Sequence, residues 1–213
     1  MYKAFKRIMD WLLSLAAIVL LSPLWIGIAL AVCIDSPGPV LFTQKRVGRG
    51  KKLFNIYKFR TMRTDTPHDV PTHLLSNPDQ YITRVGRFLR KTSLDELPQI
   101  WNIFIGDMSV IGPRPALWNQ YDLIAERDKY HGRWDMTPND VRPGLTGWAQ
   151  IHGRDELTIV EKARLDGEYL AYYGIGVDVR CFWQTIISVL KHEGVVEGGT
   201  GAMPNPPQQE EKP

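Results

Sequence analysis

Two cysteines in 213 residues, Cys33 and Cys181, exclude a disulfide framework and fit a reducing compartment. Cys33 lies in an apolar run and Cys181 in an amphipathic stretch, where each is expected to be a packed small hydrophobe. Also missing are a Walker-type glycine loop, a strand followed by G-x-G-x-x-G, a Cys/His set at zinc spacing and an Asp-x-Asp pair. The P-loop, dinucleotide-binding and zinc classes therefore have no support. The five histidines are scattered, with His68 and His73 in a polar loop, and are read as solvated. No internal repeat is found, and 44% hydrophobic content supports one compact domain with an attached segment. Acidic residues are absent from Ser36 to Arg63, where eight Lys or Arg occur, so a net charge of only +3 conceals a local basic strip.

What is present is a long apolar run. Trp11 to Ile34 carries no charge, and at about 1.5 Å per residue it can cross a hydrocarbon core of about 30 Å. Ser22-Pro23 lies at its centre. An interior proline removes one helical hydrogen bond at a cost of about 3 kcal/mol, although the Ser22 hydroxyl can cover an exposed carbonyl. Lys3, Lys6 and Arg7 precede the run, and Lys45, Arg46, Arg49, Lys51 and Lys52 follow it. Positive charge favours the cytoplasmic side, so both flanks belong on one face. A helix that enters one leaflet, turns at Ser22-Pro23 and returns satisfies both flanks. A proline-kinked span is one alternative. A secretory signal cleaved after Ala29-Leu30-Ala31 is another, although the run exceeds the usual core of about 7–15 residues.

Beyond the run, Ser36-Pro37-Gly38-Pro39 signals a turn, Val40–Phe42 a short strand and residues 52–62 an alternating strand. A polar loop spans Thr64–Pro78. The pattern predicts a helix over Arg84–Ile105 interrupted near Thr92–Pro98, and further helices over Pro115–Tyr130 and Thr158–Tyr172. Val179, Phe182, Trp183, Ile186, Ile187 and Leu190 keep helical spacing, which fits a core helix or one lying in a membrane interface.

The segment TSLDELPQ, residues 92–99, carries adjacent carboxylates, Asp95 and Glu96. Hard cations take oxygen ligands, and a carboxylate can form a covalent phosphoryl intermediate. Ser93-Leu94-Asp95-Glu96 equally fits a capping box, in which Ser93 and Glu96 satisfy the free amides of a helix start. Arg87, Arg90 and Lys91 lie upstream, and Gly112-Pro113-Arg114-Pro115 and Arg142-Pro143-Gly144 downstream. Arginines fixed beside prolines offer forked donors to phosphate oxygens. Carboxylates, arginines and a membrane dip together point to phosphoryl transfer involving a lipid.

The segments KRIMD (6–10), SPGPVLFTQKRVGRGKKLFNIYKFRTM (36–62), TSLDELPQIWNIFIGDMSVIGPRP (92–115) and VRPGLTGWAQIHGR (141–154) resemble the bacterial sugar transferase family. These are the monotopic polyprenyl-phosphate phosphoglycosyl transferases, and the length is similar to that of their small members. The resemblance implies a re-entrant helix broken at Ser22-Pro23, at the cytoplasmic face of a bacterial inner membrane. It implies that Asp95 is a nucleophile attacking a UDP-sugar to release UMP, and that undecaprenyl phosphate then takes the phosphosugar. Mg²⁺ is implied at Asp95, with Glu96 orienting the metal site or handling a proton. Lys58, Arg90, Arg114 and Arg142 match basic positions that would hold phosphates, and nearby cations are expected to depress the Asp95 pKa.

The expected fold is α/β, mostly helical: a re-entrant membrane helix-break-helix over 1–35, a catalytic domain with interfacial amphipathic helices over 36–197 and a mobile tail over 198–213. Expected partners are UDP-sugar, undecaprenyl phosphate and membrane lipids, with no nucleic acid. Membrane-facing Trp and Phe residues could equally mediate self-association into a homo-oligomer. The competing reading is a non-catalytic membrane-surface scaffold whose basic strip binds anionic lipids.

Overall fold

A computed structural model describes residues 2–66, 78–153 and 157–191. His68, His73, most of the Thr64–Pro78 loop and the 198–213 tail lie outside the described residues. The architecture is mixed α/β and mostly helical, with two small sheets of two strands each.

The apolar run forms α1, Tyr2–Asp35, and its helical assignment continues without interruption through Pro23. Proline lacks the N–H that would bond the carbonyl four residues earlier. That carbonyl is Val19 O, and the Ser22 hydroxyl donates to it at 2.8 Å, as the sequence predicts. Both ends of α1 are anchored to the same domain. Near the N-terminus, Lys6 pairs with Asp178 at 2.5 Å, and Arg7 donates to Ile103 O and Phe104 O at 2.7 and 2.9 Å. Asp10 accepts from Ser109 Oγ and Val110 N at 2.8 and 2.9 Å. At the other end, Ile28 and Val32 pack with Phe59 and Leu89, and Asp35 accepts from Val85 N at 2.9 Å.

Between these anchors no α1 residue from Leu15 to Gly27 is buried, and Leu20 is 77% exposed. An exposed apolar segment of this length marks α1 as membrane-associated. Cys181 is fully buried, as expected, whereas Cys33 lies on the outward face of α1 beside the inward-facing Val32 and is exposed.

Strands β1 (Leu41–Val47) and β2 (Leu53–Phe59) form an antiparallel hairpin with Leu41 opposite Phe59 and Val47 opposite Leu53. The first strand is longer than Val40–Phe42 because Lys45 falls on its exposed face and Arg46, on the packed face, bonds Pro115 O, so neither charge ends the pairing. Helix α2 (Arg84–Lys91), a 3₁₀ turn at Leu94–Glu96 and α3 (Gln99–Ile105) reproduce the interrupted helix that the sequence predicts. Gly86 permits α2 to lie against residue 61, since a Cβ there would meet Thr61 O at 2.1 Å. The buried Asn102 side chain of α3 completes one edge of β2: its Nδ2 donates to Asn55 O at 2.8 Å, and its Oδ1 accepts from Tyr57 N at 3.1 Å.

A second, parallel pair joins β3 (Ser109–Ile111) to β4 (Gly144–Thr146). Helices α4 (Tyr121–Arg127), α5 (Trp148–Ile151), α6 (Ile159–Ala171) and α7 (Ile175–Lys191) complete the domain. Helix α4 starts later than the predicted Pro115 because the carbonyls of Pro115 and Ala116 are bonded to Arg46 and Val47 of β1. The central apolar cluster gathers Ile111, Met136, Val141, Tyr169, Leu170 and Cys181. On α7, only the face with Val177 and Cys181 enters this core; Val179, Phe182, Trp183 and Ile187 are exposed, which removes the core reading of that aromatic stripe.

Candidate active site

The site is built where the 3₁₀ turn meets β2. Ser93 adopts φ +56°, a left-handed conformation unusual for a residue with a side chain, and this turns Asp95 and Glu96 toward the hairpin. No capping bond forms at Ser93, and the Glu96 side chain does not return to the turn. The capping-box reading of SLDE therefore fails. Glu96 Oε1 instead accepts from Lys58 Nζ at 2.7 Å and from Arg114 Nη2 at 2.9 Å. By contrast, Thr158 and Glu161 form the reciprocal cap that starts α6, where the nearby Arg164 is bonded to Glu168 and leaves the Glu161 carboxylate to the cap.

Asp95 is placed differently. Lys58 Nζ lies 3.8 Å from Asp95 Oδ2, close enough for attraction but too far for a hydrogen bond. Among the described residues no donor is bonded to the Asp95 carboxylate, although its side chain is only 13% exposed. Burial is the main influence and pushes its pKa up. Lys58, Arg90 and Arg114 oppose the rise, and the charge on Glu96 reinforces it. The expected depression of the Asp95 pKa is thus reversed. It is Glu96, partly desolvated but held by Arg114 and Lys58, that lies well below the usual carboxylate range. The two carboxylates share one set of cations, and Glu96 takes the direct bonds.

The supporting residues are set by tertiary contacts. Arg90 Nε donates to Thr61 Oγ1 at 2.9 Å, which orients its guanidinium beside Asp95. Arg114 lies between two prolines, and three successive carbonyls fix its backbone. Arg114 O accepts from Arg127 Nη2 at 2.9 Å, Pro115 O from Arg46 Nη1 at 3.1 Å, and Ala116 O from Val47 N at 2.9 Å. Arg127 is in turn held by buried Asp166, with Nε and Nη2 at 2.9 and 2.6 Å from Oδ2. Burial and neighbouring Arg114 lower the Arg46 pKa to about 10, with Glu96 opposing.

Of the residues singled out in the sequence, Asp95, Glu96, Lys58, Arg90 and Arg114 come together, and Arg142 does not. Its Nε donates to Gly106 O at 2.7 Å, just beyond the C-terminal end of α3, whereas Asp95 precedes the N-terminal end. Sequence reasoning missed Arg46, Thr61, Arg127 and Asp166. Nothing local could have joined Arg127 to Asp166, which lie on different helices 39 residues apart. Nor is the basic stretch one strip. Lys58 faces Glu96, Arg46 bonds Pro115, Lys51 pairs with Asp128, Arg63 with Asp65, and Arg60 bonds the Ser36 and Pro37 carbonyls.

Mg²⁺ normally binds proteins through one or two carboxylates plus substrate phosphates, and does not need a closed protein cage. The donor set fits such a use. Among the described residues no group of three or more His, Cys, Asp or Glu is found, but Asp95 presents a partly buried carboxylate without a hydrogen-bond donor.

The pattern of the bacterial sugar transferase family matches residues 1–192. The chain belongs to that family. It is 39% identical over 190 residues to the UDP-glucose:undecaprenyl-phosphate glucose-1-phosphate transferase of Xanthomonas campestris pv. campestris, covering 87% of this chain and 38% of the relative. It is 39% identical over 194 residues to a UDP-N-acetylgalactosamine-undecaprenyl-phosphate N-acetylgalactosaminephosphotransferase of Aeromonas hydrophila, covering 89% of this chain and 44% of the relative. To the exopolysaccharide production protein PSS of Rhizobium leguminosarum bv. phaseoli it is 39% identical over 197 residues, covering 87% of this chain and 94% of the relative. The chain thus spans about two fifths of the first two relatives and nearly all of the third. Every element that builds the Asp95 group lies inside the family match.

The Arg127–Asp166 pair generates a prediction. Both side chains are at most 5% exposed, so Asp166→Ala strands a buried guanidinium, and a loss of about 3–5 kcal/mol is expected. Denaturant unfolding of the detergent-solubilised variant measures it. Stability within about 0.5 kcal/mol of the parent would show that the pair does not hold α4 to α6.

Proposed function

We propose that this protein transfers a sugar-1-phosphate from a UDP-sugar to undecaprenyl phosphate, releasing UMP and priming the synthesis of a surface polysaccharide. The observation that carries this reading is the Asp95 carboxylate: shielded, bonded to no donor among the described residues and faced by the Lys58 ammonium, in a chain that belongs to the bacterial sugar transferase family. An ionised carboxylate without a bonded donor retains its lone pairs for attack. In the first step an Asp95 oxygen attacks the sugar-bearing phosphorus; a P–O bond to Asp95 forms and the P–O bond to UMP breaks. In the second, an oxygen of the lipid phosphate attacks the same phosphorus, and the bond to Asp95 breaks to regenerate the carboxylate.

Arg114, Lys58 and Arg90 supply positive charge around the phosphoryl oxygens as charge shifts between them. Glu96 orients Lys58 and Arg114 through its two direct bonds. Asp95 would hold Mg²⁺, which supplies charge neutralisation on the diphosphate when bound. The relatives' names include both glucose and N-acetylgalactosamine donors, so the UDP-sugar class follows from them and the individual sugar does not.

The membrane arrangement belongs to the same reading: α1 bends at Ser22-Pro23 and returns to the cytoplasmic face. Straight, its 34 residues would run about 51 Å, more than the width of a domain of this size. Yet Lys6–Ser14 and Ile28–Asp35 are both anchored on one domain while the segment between them is exposed. Exposed Phe88, Trp101, Ile105 and Trp183 on α2, α3 and α7 fit an interfacial placement that brings Asp95 near lipid phosphates.

Asp95→Asn is expected to reduce UMP release from the preferred UDP-sugar about 10³-fold or more and to abolish covalent labelling by a sugar-phosphate-labelled donor. Screening a UDP-sugar panel with and without Mg²⁺ identifies that donor; parental turnover by the variant refutes the assignment. A pH profile tests the electrostatics. Because burial raises the Asp95 pKa, activity should climb as pH rises through a value above the ordinary carboxylate range. Lys58→Gln removes a cation that lowers that pKa, so the acid limb of kcat/KM should move to higher pH; an unmoved limb overturns the coupling. Single cysteines at positions 3 and 51 should be labelled from the same side of sealed vesicles, and labelling from opposite sides would exclude the bend.

A further inference from the structure

Beyond the C-terminal end of α3, with neither Asp95 nor its cations in its lining, lies a cavity of about 270 Å³. It is lined by five cations, Lys3, Lys6, Arg7, Arg49 and Arg142, against two carboxylates, Asp10 and Asp140. The partners of these groups decide what the cavity can hold. Lys6 is paired with Asp178, and Lys3 lies over the Trp134 ring at 4.9 Å. The remaining three are arginines, and none of them has a carboxylate partner among the described residues. Arg7 is fixed by the Ile103 and Phe104 carbonyls, and Arg142 by the Gly106 carbonyl. The Arg49 side chain forms no hydrogen bond or ion pair among the described residues, although its carbonyl accepts from Lys52 N.

Carbonyl acceptors orient a guanidinium without cancelling its charge. Both cavity carboxylates are turned to other donors: Asp10 to Ser109 and Val110, and Asp140 to Thr137. Arg142 also registers the crowding, since burial, then Arg7 and then Arg49, lower its pKa. A further group points the same way. Tyr173 is 5% exposed, lines the cavity, and its hydroxyl has no hydrogen-bond partner among the described residues.

We propose that this cavity is a second anion site, in which Arg7, Arg49, Arg142 and the Tyr173 hydroxyl bind a phosphate group. Three guanidinium forks with no carboxylate bonded to them outnumber the two lining carboxylates, and suit the several oxygens of a tetrahedral phosphate better than a single carboxylate. Like charges brought together during folding cost free energy, which a bound anion offsets. Two sources supply this chemistry. Arg7 is on α1 between the exposed apolar Phe5 and Ile8, so a lipid headgroup phosphate lies within reach. Arg49 is exposed in the β1–β2 turn, so a soluble phosphate can also enter. The site goes beyond the proposed reaction, because it contains neither Asp95 nor the cations around it.

Isothermal titration of the full chain in neutral detergent tests the proposal with two probes: inorganic phosphate, and dihexanoyl phosphatidylglycerol below its micelle concentration. Saturable binding of at least one is expected. Arg49→Gln, which removes no structural bond, should weaken it tenfold or more with an unchanged melting temperature. Arg142→Lys should weaken it as well, whereas Arg114→Gln at the Asp95 group should leave it intact. Binding of phosphate but not the lipid assigns a soluble ligand, and the reverse assigns a headgroup; either supports the site. The proposal is overturned if neither probe saturates, or if Arg114→Gln abolishes binding that Arg49→Gln leaves unchanged. The readout needs no turnover, so its failure leaves the transferase reading standing.

Discussion

Competition between two adjacent carboxylates for one lysine and one arginine underlies the organisation of the site. Glu96 takes both direct bonds, from Lys58 and Arg114, and is thereby held ionised. Asp95 receives the field of these cations without their hydrogen bonds. Were the roles equal, both oxygens would be occupied and neither carboxylate would be available to a phosphorus atom. The left-handed Ser93 opens the turn that carries both carboxylates, and their adjacent positions on it face the cations differently.

The rest of the domain keeps that competition in register. Lys58 is carried by a strand whose edge is closed by Asn102, so the site's lysine and the helix following its carboxylates are locked together. Arg114 is carried by a segment whose carbonyls are fixed by β1, by Arg46 and by the Arg127–Asp166 pair. Buried ion pairs add little net stability over apolar packing, and their use is to fix one geometry. Arg127 illustrates this: its guanidinium spans an aspartate of α6 and the backbone of the site.

The membrane helix is coupled to the same frame at two places. Arg7 bonds the last carbonyls of α3, and Asp35 accepts from Val85 N in the first turn of α2. These two helices flank the 3₁₀ turn bearing Asp95, so displacement of α1 within a bilayer would be transmitted to both sides of the turn. A polar contact at each end and an apolar surface between them give α1 its two functions, anchoring the domain and bracing the turn.

Much of this was legible in the residues. The uncharged run, the interrupted helix over Arg84–Ile105 and the strand at 52–62 all follow from periodicity and punctuation, which act over a few residues. So does the Ser22 hydroxyl covering the carbonyl freed by Pro23. Arg90 and Arg114 were set with Asp95 and Glu96 from the residues themselves, but Lys58 joined them only through family resemblance, since no local rule joins a strand lysine to a carboxylate 38 residues later. The capping signature failed because a cap and a cation compete for one carboxylate, and only the fold determines whether a cation is near. For the same reason Arg142 stood beside Asp95 in the sequence reading and lies apart from it in space. The amino-acid order by itself determined which segments are helix, strand or apolar, because those preferences are local. The tertiary structure alone decided which charges meet, because electrostatic partnership depends on distance through space and not along the chain.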